Sequence, residues 1–172
     1  ADSFIVDPHK WLFAPFDCCA LIYADPEKAR KAHRQHGDYL EVFYDGIWNP
    51  SDYAHHLSRR ARGLPFWFSL AVHGTKAYAD AVEVTLDCAR EAATMIEAHP
   101  DLEMVTDQRL SICVFRRIGW TPEQYKEWSD ALLERGDGLV TPTKHEDETV
   151  LRFCIVNPRT NREDIQLILD TL

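Results

Sequence analysis

The sequence predicts a mixed α/β and α+β chain, and two observations carry that expectation. The first third sets two short apolar runs, "SFIV" (3–6) and "CCALIYA" (18–24), on either side of a turn and ahead of a helix. The last third alternates strand-like runs with two capped helices, and a long helical stretch joins the thirds. The 172 residues are 45% hydrophobic and 11% aromatic, enough to bury a core. The net charge of −9 argues against non-specific binding to nucleic acid, which needs a basic surface. It also disfavours anionic membranes. No apolar run approaches the roughly 20 residues of a membrane helix.

"SFIV" reads as a buried strand that runs into "DPHKW" (7–11), because Pro8 cannot continue a ladder. "CCALIYA" is apolar on both faces and reads as a central strand. "DPEKARKAHRQHG" follows as a helix, with Asp25 as cap, Pro26 in its first turn and Gly37 as stop. Residues 38–56 have no clean period and read as a long ordered loop. Residues 58–100 are mostly helical, with Pro65 as start or kink. The segment "LPFWFSLAV" is apolar on most faces and suits an interface. Strands are expected at 102–106, 110–117, 138–144 and 149–157. Helices are expected at 121–136, capped by Thr121 and stopped by Gly136, and at 161–172, capped by Asn161.

Lys10 is the first candidate for chemistry. A lysine just past a strand either reaches back to water or is held there for its amine. Desolvation would lower its pKa and free a nucleophile for imine chemistry. His9 beside it can bind phosphate or stack. Arg59, Arg60 and Arg62 form a basic cluster in an acidic protein. They suit either an anion or an ion-pair network at an interface or helix start. No metal site is expected: His33 and His36 are three apart and His55 and His56 adjacent, with no further ligand at zinc-like spacing. Cys18, Cys19, Cys88, Cys113 and Cys154 form no CxxC, and the vicinal pair is poorly shaped for a disulfide. They read as reduced thiols of a cytoplasmic protein. The chain has no initiator methionine and opens almost at once on a strand, so it reads as a piece of something longer.

The run "ADSF…DPHKW…FDC" resembles the signature of the group II pyridoxal-phosphate-dependent amino acid decarboxylases. That family holds the aromatic amino acid, histidine, glutamate and diaminobutyrate enzymes. "LSRRARGLPFWFSL" (57–70) and "VLRFCIVN" (150–157) are similar to later family segments, in family order. The resemblance implies the C-terminal part of a fold type I enzyme. Residues 1–75 would be the end of the large cofactor-binding domain, with its sheet and mobile loop. Residues 76–172 would be a linking helix and a small α+β C-terminal domain.

It further implies pyridoxal phosphate as cofactor and an L-amino acid as substrate, an aromatic one slightly favoured. The assembly would be a homodimer with its active site at the interface. Lys10 matches the Schiff-base lysine, and His9 the histidine close to the cofactor. Tyr39 matches a loop tyrosine that protonates the substrate Cα; a phenylalanine there switches some plant relatives to aldehyde formation. Ser58 matches a position that approaches the cofactor phosphate from the partner subunit. Asp7 stands where some members have asparagine near the phosphate, which a carboxylate would repel unless it points away. The family's ring-nitrogen aspartate, stacking histidine and main phosphate turn precede the lysine and are not in this sequence. The 172 residues alone are therefore expected to be inactive, a fragment or a dimerisation module.

Overall fold

The computed structural model describes residues 1–35 and 47–172. They form two compact units, Ala1–Gly74 and Thr75–Leu172. Among the described residues no helix is long and apolar enough to cross a membrane.

In the first unit, β1 (Ser3–Val6) pairs antiparallel with β2 (Ala20–Tyr23), Ser3 opposite Tyr23 and Val6 opposite Ala20. The sequence suggests buried, central strands, and the structure corrects both points. Among the described residues β2 has only β1 beside it. Phe4 and Ile5 are 62% and 63% exposed, and Leu21 and Ile22 are also open. Apolar residues on both faces suit a strand to burial, but they do not supply the layer that would bury it.

Helix α1 (Pro26–His33) starts as expected: Asp25 Oδ1 accepts from the Glu27 and Lys28 amides at 3.1 and 3.2 Å. It ends at His33, short of the expected stop, and Gly37 lies outside the described residues. Inside the predicted loop, Pro50–Tyr53 makes a turn of 3-10 helix capped by Asn49. This turn is tied to α1 and β2. Arg30 Nε donates to Asp52 Oδ2 at 3.1 Å, and Tyr23 Oη donates to the Tyr53 carbonyl at 3.2 Å.

Helix α2 (Gly63–Ala98) leaves helical geometry at Gly74, where φ is 75° and ψ 155°. Of the two roles expected for Pro65, start or kink, the start holds, since it sits in the first turn, and the break falls at Gly74. A first-turn proline needs no amide donor, whereas this φ and ψ suit glycine almost alone. Before the break, Leu64, Trp67, Phe68 and Val72 are exposed at three- and four-residue spacing.

The second unit is a four-stranded antiparallel sheet in the order β3-β4-β6-β5. Its strands are β3 (Leu102–Met104), β4 (Ile112–Arg117), β5 (Thr143–His145) and β6 (Glu148–Cys154). Period-two alternation turns Cys113 and Phe115 of β4, and Leu151 and Phe153 of β6, into the core. They meet Ala89, Ala92 and Ile96 of α2, Tyr125, Trp128 and Leu132 of α3 (Pro122–Arg135), and Ile165 and Leu169 of α4 (Arg162–Leu169).

Both later helices begin with capping boxes, Thr121 with Gln124 and Asn161 with Asp164. Gly136 closes α3 in the left-handed conformation, with φ 76° and ψ 13°. The strand expected at 138–144 forms only from Thr143 to His145, since Pro142 cannot donate to a ladder. Glu146 and Asp147, with φ 47° and 67°, make the two-residue turn into β6.

Candidate active site

The turn after β1 carries the predicted lysine. Pro8 is buried beneath it, the Lys10 amide donates to the Asp7 carbonyl at 2.9 Å, and the Ala14 amide donates to the Pro8 carbonyl at 2.9 Å. This local ladder fixes Asp7 and Lys10 on one side of the turn. Lys10 Nζ lies 2.7 Å from Asp7 Oδ2, with the lysine side chain 69% exposed. The notion of a desolvated Lys10 with a lowered pKa is therefore corrected. The hydrogen bond and charge of Asp7 hold the ammonium above the usual lysine range, and Lys10 in turn holds the Asp7 carboxyl below its own. Desolvation, then the neighbouring Asp7 carboxylate, pushes the Cys19 thiol up.

His9 turns away from this pair. Its Nδ1 rests against the Cys18 peptide, 2.5 Å from the oxygen and 3.1 Å from the nitrogen. Its ring meets Phe16 edge-on at 5.0 Å between centroids. The imidazole is thereby fixed at the wall of a cavity of about 1400 Å³. Tyr23, Trp48, Tyr53, Arg59 and Arg60 line the same cavity. Arg59 Nη2 donates to the Pro50 carbonyl at 2.9 Å. Arg62 Nε lies 2.8 Å from Asp17 Oδ2, an ion pair without hydrogen-bond alignment at that nitrogen.

Lys10 and His9 are thus neighbours on one turn. Only His9 lines the cavity; Lys10 stands outside its wall. Ser58 is exposed at a bend beside Arg59 and is not in that wall either. Tyr39 lies outside the described residues. The aromatic lining of Tyr23, Trp48 and Tyr53 was not legible from spacing, because Tyr23 reaches Tyr53 across 30 positions of chain.

The family model of the pyridoxal-dependent decarboxylase conserved domain matches residues 1–118, which includes this whole turn. The chain belongs to the pyridoxal-dependent decarboxylase family. An aromatic-L-amino-acid decarboxylase of Bacillus atrophaeus is 30% identical over 98% of this chain and 37% of its own length. A histidine decarboxylase of Rattus norvegicus is 28% identical over 96% of the chain and 25% of its own length. The chain therefore spans about a third or less of these relatives. Among solved structures, the Oryza sativa TDC structure with PLP and tryptamine superposes with a TM-score of 0.84 at 21% identity. That match covers 99% of this chain and 38% of the other. The fold is that of the fold type I decarboxylases.

Proposed function

We propose that the protein to which this chain belongs is a pyridoxal-phosphate-dependent carboxy-lyase. It converts an L-amino acid, an aromatic one favoured, to its amine and carbon dioxide. It works in the cytoplasm as a homodimer with the active site at the interface. The observation that carries this reading is the family match over residues 1–118, with a solvent-open primary amine at the signature turn. The aromatic preference draws on the Bacillus atrophaeus relative at 30% identity.

The residues present fit the cofactor. Pyridoxal phosphate carries an aldehyde, and Lys10 offers a solvent-open amine. Asp7, the one group at the turn that would oppose a phosphate, directs its Oδ2 at the Lys10 ammonium. When bound, the cofactor supplies an electron sink for the pair left as a carboxylate departs. Lys10 would hold it through Nζ. His9, locked on the Cys18 peptide, would present a fixed ring face beside it. Ser58 would reach the phosphate from the other subunit. Tyr39 would deliver a proton to the substrate Cα from its phenol oxygen. The 172-residue chain by itself is read as inactive.

The test is carbon dioxide release by the intact protein, offered aromatic amino acids, histidine and acidic amino acids in turn. Fastest release from an aromatic substrate, lost to background in Lys10→Ala, is the expected result. Release from none of them would overturn the function, and fastest release from an acidic one would overturn the preference.

A further inference from the structure

Asp7 and Lys10 are joined twice. The Lys10 amide donates to the Asp7 carbonyl at 2.9 Å, and the Lys10 ammonium sits 2.7 Å from Asp7 Oδ2. Backbone and side chain thus tie the same two residues, so the carboxylate is built into the turn that presents the amine. Two other titratable groups bear on the pair. Cys19 and His9 both lie near enough to act on the Asp7 carboxylate, while the His9 ring rests on the Cys18 peptide.

We propose that Asp7 is a positioning residue that stores Lys10 as an ammonium and so sets how readily the lysine amine condenses with an aldehyde cofactor. This rests on Lys10 being the cofactor lysine. Condensation needs the neutral amine. The Lys10 ammonium must first release a proton to solvent. The amine lone pair then adds to the aldehyde carbon, a C–N bond forms, and the aldehyde oxygen leaves as water. In sum, an ammonium and an aldehyde give an imine, water and one proton, and no oxidation occurs. A carboxylate beside the nitrogen opposes the first of these steps. The direction agrees with the ammonium being held above the usual lysine range by Asp7. The pair is exposed, so salt should weaken the effect.

This differs from simple repulsion between Asp7 and a phosphate, and the two can be separated. Lys10 in the purified protein is acylated with acetic anhydride from neutral to alkaline pH, and the modified peptide is quantified by mass spectrometry. In Asp7→Asn the profile should move to lower pH. Lys10 should then react severalfold faster at neutral pH, with the two curves converging where both amines are neutral. Asp7→Glu should restore much of the original profile, and high salt should move the wild-type curve toward that of Asp7→Asn. An unmoved profile in Asp7→Asn would overturn the proposal.

A second arm traps Lys10 by borohydride reduction with pyridoxal or with pyridoxal phosphate. Similar acceleration of both by Asp7→Asn supports control through the amine. Acceleration confined to the phosphorylated aldehyde would overturn it in favour of charge repulsion. A shifted acylation profile with no pyridoxyl adduct in any variant would uphold the Asp7–Lys10 coupling while removing the cofactor reading.

Discussion

Asp7 shows how much of a residue's role lies in geometry that a sequence does not display. The signature around Lys10 was legible as a motif, and the family match bears it out. The partner of the lysine was not, because a three-residue separation brings side chains together in a turn or a helix and holds them apart in an extended run. Elsewhere, residue-level chemistry follows from burial. Cys113 is fully buried, its thiol 3.4 Å from the Ala89 carbonyl, and desolvation pushes it up to about 11. In the native protein at mildly alkaline pH, iodoacetamide should label exposed Cys154 and leave Cys88 and Cys113 untouched until denaturant is added. Peptide mapping reads this directly, and native labelling of Cys113 would contradict the described core. Asp17 has a pH consequence. Arg62 holds its carboxyl below the ordinary value of 3.8. The stabilisation is therefore fully present above that value and is lost as pH falls through the lower folded value. Asp17→Asn should remove this acid-side step from a pH titration of stability, and leave stability above it reduced and flat with respect to this group.

Elements were legible where their ends are chemically marked. Helices α1, α3 and α4 begin at the expected caps, because a cap is a local bond between residues two or three apart. Thr121→Ala removes the side-chain half of a capping box and should lower stability by about 1 kcal/mol. Gly136 presents a different case. Nothing lies within 4 Å of where a Cβ would stand, so substitution meets no clash there. The left-handed backbone alone should make Gly136→Ala cost about 1–2 kcal/mol. Urea midpoints of both variants check these figures, and a neutral Gly136→Ala would mean that α3 ends otherwise. What sequence could not locate was the break in α2. Pro65 is the louder signal, yet a proline in the first turn removes no needed hydrogen bond, and the strained backbone falls at Gly74. The burial of β1 and β2 was also beyond it, because composition records what a strand could bury and not what is there to cover it.

Across the molecule, apolar packing is divided unevenly. The core runs from Cys88 to Leu169, all within the second unit. The first unit buries a few small groups such as Ala14, Cys18 and Ala29, and leaves Trp67 and Phe68 59% and 54% exposed. If that helix face meets a second subunit, Trp67→Glu in the intact protein should halve the native mass in sedimentation. An unchanged dimer would place the contact elsewhere. Phe115→Ala, by contrast, opens a cavity under the sheet and should cost about 3–5 kcal/mol. The same imbalance predicts how the chain comes apart. Amide hydrogens of residues 102–169 should exchange slowly and together, as one cooperative block, while those of the β1–β2 ribbon exchange early. Lys10 is thus mounted on the part of the chain that holds itself least. Any molecule that engages that turn will slow deuterium uptake there first, which makes exchange mass spectrometry a sensitive reporter of occupancy even without turnover.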